Sequence, residues 1–265
     1  MKSIIIVTYN SSRDIRICLE SVEKNIFSTD QVFVIDNNSN DNTVNQVRKF
    51  IENRNNFKLV EQENNLGFAR AVNIGLEMSQ GEYIFLINPD TKFEEGILDK
   101  TISLAEKNSA DICGVRQIDE KSKPLGSFGK YPSKLSNFFE TFWLAKIFPI
   151  GRYVRYNFLD KKLFASDRQV DWVGGGFMLI KKEVVEKIGK MDENFFMYLE
   201  DVDFCQRAKQ AGFSVWFFGS IEIRHYGGKS FSEKNSREQK KYNRESLEYF
   251  MQKYKCHSRE NGNLV

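Results

Sequence analysis

The chain has 265 residues, 41% hydrophobic and 28% charged, which excludes a disordered chain and suits one large α/β domain with a sizeable core. Its 39 Lys and Arg against 36 Asp and Glu leave a net charge of +3, too even for a dedicated nucleic-acid binder, so no nucleic-acid partner is expected. The 4 cysteines, Cys18, Cys113, Cys205 and Cys256, form no CxxC pair; a zinc or redox motif is not expected, and they read as reduced thiols of a cytosolic protein.

The apolar run Ile4–Val7 is too short for a secretion signal, and no stretch approaches the roughly 20 apolar residues of a membrane-spanning helix. Ser3–Thr8 is a β-branched run, the mark of a strand buried on both faces. Tyr9-Asn10-Ser11-Ser12 breaks it, and Ile15, Leu19 and Val22 follow at helical spacing. Gln31–Asp36 is a second buried strand ending in the polar loop Asn37–Asn42, and Val44, Val47 and Ile51 mark another helix. Phe57–Glu61 predicts a strand, Phe68–Met78 a helix and Glu82–Ile87 a fourth strand. This alternation predicts an α/β fold, a mostly parallel sheet with helices on both faces. Polar residues gather at Thr8-Tyr9-Asn10, Asp36-Asn37-Asn38-Ser39 and Asn88-Pro89-Asp90, the carboxyl ends of strands, where open α/β sheets bind ligands.

The second half is less regular. Asp111–Gln117 reads as a strand. Lys134–Lys162 is rich in aromatic and basic residues. Val170–Val173 and Phe177–Ile180 flank three glycines, Lys181–Ile188 reads as a helix, and Asp201–Gln210 is a helix closed by Gly212. Ser214–Phe218 reads as a strand and Glu233–Lys255 as a charged helix. One domain is expected over 1–256, with halves 1–110 and 111–232, a helix at 233–256 and a disordered tail at 257–265.

Four features bear on chemistry. There is neither a GxGxxG after the first strand nor a GxxxxGK[ST], so dinucleotide oxidoreductases and P-loop NTPases are disfavoured, and a bound phosphate needs another neutralising group, most simply a metal. Asn88-Pro89-Asp90-Thr91 offers a carboxylate that suits Mg²⁺ or Mn²⁺ on a diphosphate; it also reads as a turn whose Asp caps the next helix. Glu200 and Asp201, beside Phe195–Leu199, suit a general base; Asp201 also reads as a helix cap, and Asp203 as the i,i+4 partner of Arg207. His225, one of 2 histidines, reads either as a metal ligand or as a loop histidine.

In their order, Thr8-Tyr9-Asn10, Asp36-Asn37-Asn38-Ser39, Asn64–Asn73, Asn88-Pro89-Asp90, Gly174-Gly175-Gly176-Phe177, Glu200-Asp201 and His225, these motifs resemble glycosyltransferase family 2, and more closely its rhamnosyltransferase-like branch. The resemblance covers about residues 2–230. It implies a GT-A fold, with a nucleotide-sugar-binding half over 1–110 and an acceptor-binding half over 111–232. It implies inverting, metal-dependent transfer from a nucleoside-diphosphate sugar to a saccharide or lipid-linked acceptor in cell-surface polysaccharide synthesis.

Carried onto this chain, the resemblance makes Asp90 and His225 the ligands of Mn²⁺ or Mg²⁺, with Asn88 replacing the first Asp of the family's DxD signature. Asp36 would accept the N3–H of uracil or thymine, which favours dTDP or UDP. Thr8, Tyr9, Asn10 and Asn38 would line the base side, and Asn65, Gly67, Arg70 and Asn73 would lie against the nucleoside and diphosphate. Asp201 would be the base, with Glu200 beside it. A non-catalytic sugar-nucleotide-binding module is the alternative. A nucleotidyltransferase is disfavoured, because Thr8–Arg13 lacks the Gly-rich loop that such enzymes need. The aromatic and basic residues of 134–162 suit a peripheral contact with the inner face of the cell membrane or with a lipid-linked acceptor, and equally a lid or a dimer surface.

Overall fold

The four N-terminal apolar runs become parallel strands. Lys2–Thr8 (β1), Gln31–Asp36 (β2), Phe57–Glu61 (β3) and Tyr83–Ile87 (β4) lie in the order β3-β2-β1-β4, each bound within one residue of expectation. The computed structural model describes residues 1–131, 164–226 and 235–260. The segment 134–162, with its expected membrane or acceptor contact, lies outside them.

Period-2 alternation divides the core into two layers. Ile4, Ile6, Val32, Val34 and Phe85 face Ile15–Glu23 (α1), Thr43–Ile51 (α2) and Ile97–Lys107 (α4). Ile5, Phe33, Ile35 and Leu86 face Phe68–Met78 (α3) and, later in the chain, Lys182–Ile188 (α5) and Glu200–Gln210 (α6). The expected helices on both faces are present. Cys18, Cys113 and Cys205 are buried free thiols within these layers.

Beyond β4 the sheet departs from simple alternation. Thr91–Lys92 (β5) is a short strand, and α4 starts only at Ile97, behind Gly96. Asp90 therefore caps no helix, although Asn88–Thr91 is a turn, with the Thr91 N–H donating to the Asn88 carbonyl at 3.3 Å. Ile112–Ile118 (β6) leads to a small ribbon of Phe128–Gly129 (β7) with Trp172–Val173 (β9), and Arg168–Gln169 (β8) pairs at the sheet margin. Phe177–Lys181 (β10) lies antiparallel between β4 and β6.

Val215–His225 (β11) runs parallel to β6 and passes through a bulge between Phe218 and Glu222. The expected strand stopped at Phe218, with His225 in a loop. Instead the bulge carries the strand on, so that His225 pairs with Thr91 of β5.

Asn235–Glu260 (α7) braces the segment that leads into α6. Phe250 packs with Phe195 and Val202. Lys253 Nζ and the Tyr249 hydroxyl donate to Asp192 Oδ2 at 2.7 and 2.9 Å. Lys253 Nζ and the Tyr254 hydroxyl also reach Asp203 Oδ1 at 2.6 and 2.8 Å. Arg207 holds Asp203 Oδ2 at 2.8 Å, the expected i,i+4 pair.

Burial alone would raise the pKa of Asp192, but Lys253, the Asn194 N–H and side chain, and Tyr249 outweigh it and hold the carboxyl near 2. A carboxylate whose pKa is lower in the folded chain stabilises the fold above its unfolded value and loses that contribution as pH falls through the folded one. Acid titration of stability is expected to show a smaller loss between about pH 4 and pH 2 for Asp192→Asn than for wild type. Equal acid slopes would show that this contact contributes nothing to stability.

Candidate active site

The carboxyl ends of β1, β2, β4 and β6 open into one cleft of about 580 Å³. Three groups of residues line it.

The first is a net of amides. Asn37 Nδ2 donates to Asn65 Oδ1 at 2.8 Å and to the Gly67 carbonyl at 3.1 Å, while Asn37 Oδ1 accepts the Leu66 N–H at 2.9 Å. Gly67 has φ 84 and ψ 170, a conformation open essentially to glycine alone. A Cβ there would stand 2.5 Å from the Phe196 carbonyl oxygen, which itself accepts the Phe68 N–H at 2.8 Å. Residues 65–68 are thereby tied to the segment that precedes α6.

The second group joins the turn after β4 to β6 and β11. His225 Nε2 lies 2.9 Å from Asp90 Oδ1 and 3.3 Å from Asn88 Nδ2, and His225 Nδ1 lies 2.7 Å from Gln117 Oε1. Two ligands about 2.1 Å from one ion and at right angles stand about 3 Å apart, so Asp90 and His225 have the spacing of neighbouring ligands in an octahedral shell. Among the described residues no third His, Cys, Asp or Glu joins them. A site with so few protein ligands suits Mg²⁺ or Mn²⁺ carried on substrate phosphates. The donor set fits the metal that the resemblance implies.

The third group is the carboxylate pair at the start of α6. Tyr198 and Leu199 both have positive φ, 73 and 67, unusual for non-glycine residues and a form of backbone strain found at functional sites. Leu199 is the cap residue; Asp201 sits inside the first turn and is not the cap. Its Oδ2 accepts the Gly175 N–H at 2.9 Å and its Oδ1 the Val202 N–H at 2.8 Å. Glu200 is buried, and its Oε2 has no hydrogen-bond partner among the described residues.

Burial, reinforced by the neighbouring Asp201 charge, pushes the pKa of Glu200 well up. Burial also raises that of Asp201, against the two N–H donors that favour its anion. Two adjacent carboxyls, one buried and one half-buried at the cleft, share protons as a unit. Asp201 is the better anion, and Glu200 is the one that keeps a proton.

Gly175 and Gly176 separate the last two groups. Gly175 donates to Asp201, while a Cβ on Gly176 would stand 3.1 Å from His225 Cε1 and 3.2 Å from Gln117 Oε1. Glycine at 176 lets the backbone lie against the Asp90–His225 group and the carboxylate pair at once.

Of the residues singled out from sequence, Tyr9, Asn65, Asn88, Asp90, Glu200, Asp201 and His225 line the cleft. Thr8 and Asp36 lie behind its wall. Asp36 Oδ1 accepts the hydroxyls of Thr8 and Ser39 at 2.9 and 2.6 Å, and Oδ2 accepts the Ser39 N–H at 2.8 Å. This carboxylate braces the loop after β2. Asn10 joins the same brace through Ser39 and Asn40, and Asn38, at φ 68, turns the loop.

Arg70 and Asn73 face away from the cleft. Arg70 pairs with Glu193 at 3.4 Å, and Asn73, 3% exposed, binds both the N–H and the carbonyl of Met191. They are three residues apart on α3, and that face packs on the 191–193 loop. Sequence reasoning assigned no role to Asn37, Phe68, Gln117 or Ser127, all of which line the cleft. Gln117 carried the same signal as the other polar strand ends, a polar residue closing a buried apolar run.

The model of the family described as glycosyl transferase family 2 matches residues 3–189. An N-acetylglucosaminyl-diphospho-decaprenol L-rhamnosyltransferase of Mycobacterium tuberculosis is 26% identical over 235 residues, covering 84% of this chain and 75% of its own. The rhamnosyltransferase WbbL of Escherichia coli is 28% identical over 158 residues, 58% of this chain and 56% of its own. Among solved structures, the mannosyltransferase PcManGT of Pyrobaculum calidifontis, in complex with GDP-Man and Mn²⁺, matches with a TM-score of 0.59 at 17% identity over 86% of this chain and 57% of that one. S. aureus TarS 1–349 in complex with UDP-GlcNAc matches with a TM-score of 0.56 at 17% identity over 86% of this chain and 60% of that one. At these identities the likeness shows the fold, which is GT-A. With the family model spanning more than two thirds of its length, and its polar strand ends gathered in a GT-A sheet, the chain belongs to glycosyl transferase family 2.

Proposed function

We propose that the protein transfers a sugar, with inversion, from a dTDP- or UDP-sugar to a hydroxyl of a saccharide or lipid-linked acceptor on the cytoplasmic side of the membrane, in the making of a cell-surface polysaccharide. The observation that carries this reading is the pair of buried Glu200 and cleft-facing Asp201 across one glycine pair from Asp90 and His225. Rhamnose is the favoured sugar because two similar proteins are rhamnosyltransferases. A lipid-linked acceptor is favoured by the diphospho-decaprenol in the name of one of them. No helix among the described residues is long and apolar enough to cross a membrane.

In this reading Tyr9, Asn37 and Asn65 bound the nucleotide side of the cleft, and the brace at Asp36 fixes the loop that presents Asn37. The pyrimidine base rests on the family resemblance, since the Asp36 carboxylate lies behind the cleft wall and accepts from Thr8 and Ser39. Asp90 and His225 hold Mn²⁺ or Mg²⁺, which when bound offsets the charge of the leaving diphosphate. Asp201 removes the proton of the acceptor hydroxyl as it attacks the anomeric carbon opposite the leaving group. Glu200, keeping its own proton, leaves Asp201 as the acceptor of that proton.

Incubation with dTDP-rhamnose, UDP-sugars and GDP-sugars, a prenyl-diphosphate saccharide acceptor and Mn²⁺ tests the reading. The expected result is acceptor-dependent release of dTDP or UDP that stops on chelation and in Asp90→Ala. Nucleotide binding without release, with every acceptor and donor, would support a binding module instead. Release from GDP-sugars alone would overturn the pyrimidine donor.

A further inference from the structure

The imidazole of His225 can serve a cation in only one of its two neutral forms. A metal needs the lone pair of the nitrogen that faces the cleft, and that nitrogen is Nε2, beside Asp90 and Asn88. The proton must then sit on Nδ1. We propose that Gln117 is the positioning residue that enforces this form, by accepting the Nδ1 proton on its side-chain carbonyl. The proposal deepens the metal reading given above and rests on it.

Gln117 stands near the carboxyl end of β6, 4% exposed. A buried amide is costly unless it is hydrogen-bonded. Its Oε1 lies 2.7 Å from His225 Nδ1, and a carbonyl oxygen can only accept, so Nδ1 is the donor. At Nε2 two neighbours make opposite demands: Asp90 Oδ1, 2.9 Å away, only accepts, so a cation or a proton lies between it and Nε2. Asn88 Nδ2, a donor, stands 3.3 Å from Nε2, where a lone pair can receive it.

Register explains how these side chains meet. Gln117 is paired with Ile223 across β6 and β11, and His225 lies two residues further on the same face, the diagonal position in a strand pair. The bulge between Phe218 and Glu222 sets that register. Gly176 closes the other side of the ring. Its Cα hydrogens occupy the space where a Cβ would stand 3.1 Å from His225 Cε1, 3.2 Å from Gln117 Oε1 and 3.4 Å from Asn88 Nδ2. The ring is boxed, and Gln117 decides which nitrogen carries its proton. A metal-bound histidine characteristically gives its second N–H to such an acceptor, and losing the acceptor typically weakens metal binding about 10- to 100-fold.

The chain has 2 histidines, His225 and His257, so long-range ¹H–¹⁵N spectra of the metal-free protein resolve His225. They are recorded at a pH where imidazole is neutral. The expected signature, read in Asp90→Ala so that no carboxylate draws the proton to Nε2, is the Nδ1–H form, changing to Nε2–H or to a mixture when Gln117→Leu is added. Calorimetry of UDP and dTDP with and without Mn²⁺ is expected to show the metal-dependent part of the affinity falling about 10-fold or more in Gln117→Leu. Gln117→Glu keeps an acceptor and is expected to retain both the Nδ1–H signature and the metal-dependent affinity. Should Gln117→Leu fail to fold, the Asp90→Ala signature and Gln117→Glu still decide. An Nε2–H form in Asp90→Ala, or a folded Gln117→Leu with unchanged Mn²⁺ dependence, would overturn the proposal. If wild type shows no Mn²⁺ dependence at all, the metal reading fails by itself, and the tautomer spectra still report on Gln117.

Discussion

Asp201→Asn is expected to lower turnover about 100-fold or more while leaving nucleotide affinity near that of wild type. The substitution keeps the shape of the side chain and removes its ability to take a proton. It also has a structural cost. Asp201 accepts two backbone N–H groups, from Gly175 and Val202, and an Asn amide has one oxygen with which to accept. One donor loses its partner, at a cost of about 1–3 kcal/mol. A purely structural Asp201 would therefore lower the melting temperature and leave turnover per folded molecule intact. A catalytic Asp201 loses turnover at temperatures where the variant is fully folded.

Glu200→Gln separates the pair further. Gln mimics a protonated Glu, so this variant is expected to lose far less activity than Asp201→Asn. The raised pKa of Asp201 also sets a sign for wild type: turnover climbs with pH as the base loses its proton, from a point above the ordinary aspartate range. Near wild-type turnover by a folded Asp201→Asn would remove Asp201 from the chemistry.

Asp203→Ala is expected to give the largest loss of stability. Its side chain is 0% exposed and binds Arg207 and Lys253 at 2.8 and 2.6 Å. The Tyr254 hydroxyl donates to it as well, at 2.8 Å. Removing one member of such a buried network leaves the others with uncompensated charge and costs about 3–5 kcal/mol. For a chain of this size that is a fall of roughly 6–15 °C in melting temperature. Arg207 keeps its bonds to the Ile188 and Lys190 carbonyls, and Lys253 keeps Asp192, which places the loss toward the lower end. Differential scanning calorimetry checks it. A shift under about 2 °C would mean that α7 does not hold α6 through this residue.

What was legible in the sequence was local. The runs of β1 to β4 and the helix α3 were bounded to within a residue, because a buried parallel strand is a continuous apolar run with polar breaks at each end. Non-local pairing was not legible. Nothing in Phe177–Lys181 says that it runs antiparallel between β4 and β6, and the β7–β9 ribbon rests on strands of two residues. Gly219-Ser220 looks like the end of a strand, and only the structure shows a bulge that continues to His225. At the site, the polar strand ends converged as expected. Arg70 and Asn73 did not join them, because a motif read in a line does not tell which side of a helix each residue takes. Gln117 was overlooked because one amide after an apolar run has no partner visible in sequence.

The antiparallel strand β10 bears on how the chain comes off the ribosome. β4 ends at Ile87 and β6 begins at Ile112, yet the strand that joins them starts only at Phe177. While the intervening residues are being made, both apolar edges, Tyr83–Ile87 and Ile112–Ile118, lack the neighbour that covers them. Open strand edges of this kind are templates for wrong pairing. His225 arrives later still, so the cluster of Asn88, Asp90, Gln117 and His225 is assembled last, by the strand that completes the sheet. The nascent N-terminal half holds Tyr9, Asn37, Asn65, Asn88 and Asp90 of the cleft, and neither Glu200 nor Asp201. The proposed cation site is therefore a property of the finished sheet, and a chain cut short before β11 would lack it.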